Sequence, residues 1–219
     1  SALCQVKPAY ASLLSHYNHT LIQRNALLKD IPRHGELLDT LEIWDEKLIR
    51  YGEQIAAERI AYLEKIRKPA QEVYQGISEE REAIQIAYVR SDSGSFREAL
   101  FQARRDDLYT GHTSVGPHRD DMEITVNGLS ARAFGSQGQQ RTAALSLKLS
   151  ELELVKRISR DEPILLLDDV LSELDSGRQN HLLSAIQNIQ TMITCTGLDD
   201  FVNNRFHIDK IFRVIDGTA

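Results

Sequence analysis

Residues 163–175 read Pro-Ile-Leu-Leu-Leu-Asp-Asp-Val-Leu-Ser-Glu-Leu-Asp and carry the clearest structural signal in the chain. Ile164 to Leu167 form an unbroken apolar run, which is typical of a strand that is buried on both faces of a parallel sheet. Asp168 and Asp169 follow directly, and the carboxyl ends of such strands are where α/β sheets bind ligands. The stretch therefore predicts a strand that carries two acids to a ligand-binding edge, although the same pattern also occurs at an ordinary boundary between a strand and a turn.

The two acids suit the chemistry of a nucleotide phosphate. Mg²⁺ prefers hard oxygen ligands and keeps several of its waters, so Asp168 is a candidate magnesium ligand, either directly or through water. Asp169 would lie beside the phosphate, where a carboxylate can orient or deprotonate an attacking water.

A second candidate site lies upstream, where residues 134–141 read Phe-Gly-Ser-Gln-Gly-Gln-Gln-Arg. Ser136 is a good N-cap for the long amphipathic stretch of residues 142–158, and Gly138 leaves the backbone open to close approach. Free N–H groups and the helix dipole at such a start favour an anion such as phosphate. A simple helix cap is the alternative explanation, and the strand with two acids downstream favours the phosphate site.

Together these motifs resemble the ABC-type ATPase heads of the SMC and Rad50 class, in which a Ser-x-Gly-Gln signature precedes the Walker B strand and a D-loop follows it. The matching positions are Ser136, Gly138 and Gln139 for the signature, 163–169 for Walker B and 172–175 for the D-loop. Two further stretches narrow the resemblance to the RecF family of bacterial DNA replication and repair proteins. They are Thr-Ser-Val-Gly-Pro-His-Arg-Asp-Asp at 113–121 and Gln-Arg-Asn-Ala-Leu-Leu-Lys at 23–29, so the resemblance runs along the whole chain.

The resemblance implies an α/β fold, namely the C-terminal part of an ABC-type, SMC-like ATPase head with a helical arm. Residues 1–110 are expected to form the arm from short coiled-coil-like helices, and residues 111–219 the half of the head with the signature, Walker B and D-loop. The sequence contains no Gly-x-x-x-x-Gly-Lys-Ser/Thr motif, and in the RecF family this P-loop precedes the part matched here. We therefore expect a C-terminal fragment of a longer protein; the alternative is a protein that never had a P-loop.

The resemblance also implies roles for single residues. The nucleotide-binding residues would be Ser136, Gly138, Gln139, Asp175 and Thr196, with Ser136 and the Gly138 N–H on the γ-phosphate held by a second protomer. Asp168 would serve Mg²⁺, and Asp169 would position water where most ABC heads have Glu. Thr196 stands where a switch His commonly lies, and threonine cannot shuttle a proton as histidine can. This departure predicts slow hydrolysis.

As a whole, the resemblance implies an intact protein that binds ATP, Mg²⁺ and DNA at boundaries between single and double strands. It would act with RecR and RecO to help RecA load at gapped DNA, as an ATP-dependent homodimer with weak ATPase activity in the cytoplasm and nucleoid, whereas the isolated fragment is expected to be inactive. One alternative is a non-catalytic interaction module whose arm docks a partner. Another is a different SMC- or Rad50-like ATPase, which the short arm disfavours.

Composition adds limits to these expectations. The chain is 42% hydrophobic and 26% charged, which is typical of a globular protein. Its net charge of −6 argues against a simple basic surface for DNA, so the chain alone is expected to bind DNA weakly. Cys4 and Cys195 follow no metal or redox spacing, and no apolar run approaches the length that spans a membrane.

Local patterns predict the remaining elements. A helix over 9–30 and a heptad-like stripe from Leu37 to Ile55 predict two helices folded back on each other, with Pro69 kinking or interrupting the second. Further signals predict a strand at 82–90, a helix started by Ser95 and Glu98, a hairpin at 122–133 with Asn127-Gly128 as its turn, a strand at 191–196 and a closing strand at 211–215. His118, before the hairpin, is expected to be a structural hydrogen-bonding residue rather than a general base.

Overall fold

A computed structural model describes residues 2–78, 81–92, 94–159, 162–171, 174–195 and 208–214. The helices are α1 Ala2–Val6, α2 Pro8–Asp30, α3 Leu38–Ile77, α4 Phe96–Thr110, α5 Ala131–Phe134, α6 Gln137–Ser159 and α7 Ser176–Ala185, with a 3₁₀ turn at Gly35–Leu37 before α3. The strands are β1 Ile84–Val89, β2 Asp121–Val126, β3 Leu129–Ser130, β4 Leu165–Asp168 and β5 Thr191–Thr194. This mixture of helices and sheets agrees with the expected α/β class.

Helices α2 and α3 form the predicted helix pair. Lys7 Nζ lies 2.5 Å from Glu58 Oε1, whereas Arg24 Nε lies 2.6 Å from Asp45 Oδ1, so the two helices run in opposite directions. Their facing side chains form an apolar cluster with Phe96 of α4, which is fully buried. The predicted packing of two helices folded back on each other is therefore confirmed.

Helix α3 continues through Pro69, so of the two predicted effects, a kink or an interruption, the interruption does not occur. Its 40 residues span about 60 Å at the usual helical rise. Ile66, Ala70 and Tyr74 recur at helical spacing around the proline and are all at most 2% exposed. Burial of this apolar face offsets the backbone hydrogen bond that proline cannot make.

An antiparallel sheet joins β1, β2 and β3 in that order. Ile84 pairs with Val126 and Val89 pairs with Asp121. Asn127 and Gly128 have φ values of 50° and 83°, as a two-residue hairpin turn requires. The return strand contains only Leu129–Ser130, shorter than predicted, because the chain then enters α5 with Ala131 in the core formed with α3 and α6.

Strand β4 pairs in parallel with β5, and its carboxyl end carries Asp168 as expected. Leu165 and Leu167 are buried against α6 and α7, whereas Ile164 is 59% and Leu166 is 69% exposed. Burial on both faces was therefore wrong for the described residues, because helices cover only one face of this two-stranded sheet. Residues 211–214 form no strand, so the expected closing strand is also absent from the described part of the chain.

Helix α3 connects the regions expected to be arm and head. Its first half packs on α2 and α4, and its second half packs on β1 and α6. Strand β1 pairs with β2 across the expected boundary near residue 110, so the division into two units stays a prediction. None of the described helices has the length and apolar character needed to cross a membrane.

Candidate functional site

The N-terminus of α6 is closed by two reciprocal hydrogen bonds. Ser136 Oγ accepts the Gln139 N–H at 3.2 Å, and Gln139 Oε1 accepts the Ser136 N–H at 2.8 Å. This is a capping box, so the simple cap predicted for Ser136 is present. Because the serine oxygen acts here as an acceptor, its own O–H remains available as a donor to an anion.

Two backbone groups beside this cap also remain available. Within the described residues, no hydrogen bond uses the N–H groups of Gln137 and Gly138. These groups lie at the positive end of the dipole of α6. A hydroxyl and two N–H groups at one helix start can bind a phosphate, which is the chemistry expected of the signature.

Gly138 is in close contact with Arg178 of α7. A Cβ at position 138 would lie 2.4 Å from Arg178 Nη1, so a larger residue there would displace this guanidinium. Arg178 therefore lies directly over the start of α6. Arg178 was not predicted from the sequence, where its only local signal is its position three residues after Asp175.

Asp175, the last residue of the D-loop motif, organises the same region. Its Oδ1 accepts the Arg178 N–H at 3.0 Å as the N-cap of α7, and its Oδ2 lies 3.4 Å from Arg178 Nε. Gln179 Nε2 donates to the carbonyls of Leu171 and Leu174, at 2.7 and 3.1 Å. The structure thus brings the signature and the described part of the D-loop together through Arg178, whereas 172 and 173 lie outside the described residues.

The two acids after β4 meet Thr194 of β5. The Thr194 hydroxyl donates to Asp168 Oδ1 at 2.5 Å and accepts the Asp169 N–H at 3.1 Å. Asp169 has a φ of 49°, in the left-handed region that few residues other than glycine adopt. The predicted Thr196 lies outside the described residues; among the described residues, Thr194 contacts both acids.

These groups are compatible with magnesium bound together with a nucleotide. No cluster of three or more His, Cys, Asp and Glu side chains in the described part of the chain could hold a metal. Mg²⁺, however, commonly takes one or two carboxylates and completes its shell with phosphate oxygens and water. Asp168 is exposed and offers a carboxylate whose orientation is fixed by Thr194, which fits such a site.

His118 has the structural role predicted for it. Its Nε2–H donates to the Thr113 carbonyl at 3.1 Å, which leaves Nδ1 to accept the Tyr17 hydroxyl at 2.7 Å. Burial lowers the pKa of His118, because removal from water disfavours the charged imidazolium. Neighbouring Asp120 accepts hydrogen bonds from Tyr88 and from the Ser91 N–H, so both residues hold the loop in place.

The mixed helix and sheet fold is that of an ABC-type ATPase head with helical arm elements. No protein-family profile matches the chain. The sequence does match individual proteins. It is 51% identical over 216 residues to the DNA replication and repair protein RecF of Agathobacter rectalis, and 49% identical over 218 residues to that of Lachnoclostridium phytofermentans. These alignments cover 98% and 99% of the chain but 60% and 61% of the relatives.

Solved structures agree with the sequence comparison. The recombination mediator protein RecF-ATPrS of the RecFOR pathway has a TM-score of 0.84 and 38% identity, over 99% of this chain and 59% of that one. The RecF-ATP structure has a TM-score of 0.79 and 37% identity, over 91% and 56%. The chain is therefore similar to RecF over nearly its whole length, and it corresponds to the C-terminal part of these proteins.

Proposed function

We propose that the intact protein containing this chain is an ATP-dependent, DNA-binding recombination and repair protein of the RecF type. ATP would join two protomers, with the signature of one protomer facing the nucleotide bound by the other. The dimer would hold gapped DNA and, with RecR- and RecO-type mediators, help a recombinase to load. The sequence identity to RecF proteins supports this class of function. The solved RecF structures are named with ATP or ATPrS, which supports ATP as the nucleotide.

One observation carries the nucleotide part of the proposal. Ser136 Oγ is held by the Gln139 N–H, and the Gln137 and Gly138 N–H groups beside it are unused within the described residues. The start of α6 is thus already in a conformation that can bind phosphate. A preorganised site favours association because little ordering remains to be done on binding.

The acids after β4 would serve the same nucleotide from the other side of the dimer interface. Asp168 would be the carboxylate that holds Mg²⁺, which supplies positive charge to the phosphates when it is bound. Asp169 would orient the attacking water or accept its proton. Asp175 and Arg178 would lie at the seam between the protomers, because they pack on the signature.

Ser136→Asp in the intact protein tests the phosphate contact of Ser136 separately from its role as a helix cap. Aspartate caps helices about as well as serine, so the free energy of unfolding should stay within about 0.5 kcal/mol of the unchanged protein. Its negative charge would repel a γ-phosphate, so ATP-dependent dimerisation should weaken at least about tenfold, as measured by analytical ultracentrifugation with and without Mg-ATP.

Ser159→Ala, at the other end of α6, is the matched control and should dimerise normally. If Ser136→Asp dimerised with ATP as well as the unchanged protein, the signature would not contact nucleotide and the proposal would be wrong.

A further inference from the structure

Glu82 connects the signature to the end of helix α3. Gln139 Nε2 donates to Glu82 Oε1 at 2.6 Å, and the Tyr74 hydroxyl donates to Glu82 Oε2 at 2.7 Å. Glu82 belongs to none of the recognised motifs, and it lies 57 residues from Gln139 in the chain. A continuous hydrogen-bonded path therefore runs from α3, through Tyr74, Glu82 and Gln139, to Ser136.

The direction of every hydrogen bond in this path is determined. A carboxylate only accepts, so the amide group of Gln139 must face Glu82 and its oxygen must face the Ser136 N–H. Tyr74 is fully buried, and burial together with the nearby Glu82 raises its pKa, so it remains a protonated donor. No side chain in the path can reverse its role without breaking a neighbouring hydrogen bond.

The backbone around Glu82 is anchored to both sides. The Ser78 hydroxyl, just after α3, lies 3.4 Å from the Glu82 carbonyl, and Gln71 Nε2 donates to the Ile84 carbonyl at 3.0 Å. On the other side, the Ala83 N–H donates to Asn127 Oδ1 in the hairpin turn at 2.9 Å. Glu82 is thus fixed relative to α3 and to the hairpin that leads into the signature.

We propose that Glu82 is a positioning residue that ties the signature of α6 to the end of α3. ATP-dependent dimerisation then requires α3 and α6 to keep the arrangement that this path specifies. The proposal rests on the proposed function, because the signature matters here as the surface that contacts nucleotide. Helix α3 also packs on α2 and α4. The hydrogen-bonded path therefore lets the position of α3 directly affect how the signature contacts nucleotide.

Glu82→Gln in the intact protein tests this path. Tyr74 and Gln139 donate to different oxygens of Glu82, and the new amide keeps an acceptor at only one of these two positions, so one hydrogen bond to a charged group is lost whichever way it turns. We expect the dissociation constant of the Mg-ATP dimer to rise about tenfold. The affinity of the monomer for ATP should change less than about twofold, because the signature engages the nucleotide of the partner.

The exchange Glu82→Gln with Gln139→Glu supplies the rescue. The carboxylate now at position 139 can accept the Ser136 N–H and the amide at position 82, whose oxygen still accepts the Tyr74 hydroxyl. Gln139→Glu alone carries the same charge beside the phosphate without this hydrogen bond, so the exchange variant should dimerise at least about tenfold more tightly than Gln139→Glu. Gln139→Glu alone places two carboxylates against each other and should weaken the dimer.

Two single variants complete the experiment. Tyr74→Phe removes only the hydroxyl donor and should weaken the dimer about threefold or more, whereas Glu153→Gln on the exposed face of α6 should have no effect. Normal dimerisation of Glu82→Gln, or an exchange variant no better than Gln139→Glu alone, would overturn the positioning role. Normal dimerisation of Tyr74→Phe would overturn the link to α3. An unchanged protein that does not dimerise with ATP would instead overturn the proposed function, and the positioning role with it.

Discussion

At the scale of single residues, Asp169 combines a candidate catalytic carboxylate with an unfavourable backbone. Its φ of 49° places it in the left-handed region, which Asp and Asn tolerate better than most residues other than glycine. Its N–H is held by Thr194, so the conformation is maintained by the neighbouring strand. Strained backbone at a candidate site of chemistry is common, because the surrounding structure can offset a cost of about 1–3 kcal/mol.

Asp169→Asn should therefore preserve the fold while removing the carboxylate. Asparagine tolerates the same backbone, so ATP-dependent dimerisation of the intact protein should be unchanged. ATP hydrolysis should fall at least about 100-fold, because an amide cannot accept the proton of water, and a steady-state phosphate-release assay would measure this loss.

Asp169→Val is the control for the backbone. A β-branched residue is strained at this φ, so it should lower the free energy of unfolding by about 1–2 kcal/mol. Undiminished turnover by Asp169→Asn would exclude the role given to Asp169.

At the scale of elements, α3 shows how packing outweighs a local sequence signal. Proline normally ends or kinks a helix because it lacks an N–H and clashes with the preceding turn. Here the helix continues through Pro69 because Ile66, Ala70 and Tyr74 bury one apolar face against β1 and α6. The intact helix then carries Tyr74 to Glu82, so the continuity of α3 determines the geometry beside the signature.

Pro69→Ala should stabilise the protein. Alanine can donate the missing backbone hydrogen bond within α3 and has the best helix propensity, so the free energy of unfolding should rise by about 1–3 kcal/mol. Chemical denaturation would measure the change. Glu72→Ala, at an exposed position of the same helix, should alter stability by less than about 0.5 kcal/mol. A loss of stability in Pro69→Ala would mean that the ring contributes more by packing than it costs the helix.

At the scale of the whole molecule, a buried ion-pair network holds α2, α3 and α4 together. Arg24 of α2 is fully buried, and it donates to Asp45 of α3 at 2.6 Å and to Asp107 of α4 at 2.8 Å. The second oxygen of Asp107 accepts the N–H and hydroxyl of Ser114, at 2.9 and 2.7 Å. The stretches at 23–29 and 113–121, distant in sequence, thus meet in one polar core.

Asp107→Ala should be among the most destabilising single substitutions in the chain. It removes one of the two carboxylates that Arg24 contacts and leaves the buried guanidinium undercompensated, which typically costs about 3–5 kcal/mol. The adjacent Asp106 is exposed, so Asp106→Ala should cost less than about 0.5 kcal/mol. Urea denaturation of both variants would compare them. Equal effects would mean that the network contributes little to stability.

Motifs that depend on local chemistry were predictable from the sequence. Ser136 caps α6, Asn127-Gly128 forms the hairpin turn, Ser95 caps α4 and Asp168 ends a parallel strand, because each depends on a few adjacent residues. The resemblance to RecF rested on the signature, Walker B and D-loop motifs and on the stretches at 23–29 and 113–121, and it is confirmed by proteins that match nearly the whole chain.

The tertiary structure alone decided which of these motifs meet. Contacts of Arg178 with Gly138, of Thr194 with Asp168 and of Glu82 with Gln139 join residues far apart in the chain. Pairing register and helix packing create such contacts, and they leave no periodic pattern in the sequence that local propensity could detect. The same reason explains Pro69 and the open face of β4, since the covering of an apolar face depends on what packs there and not on the residues of the element itself.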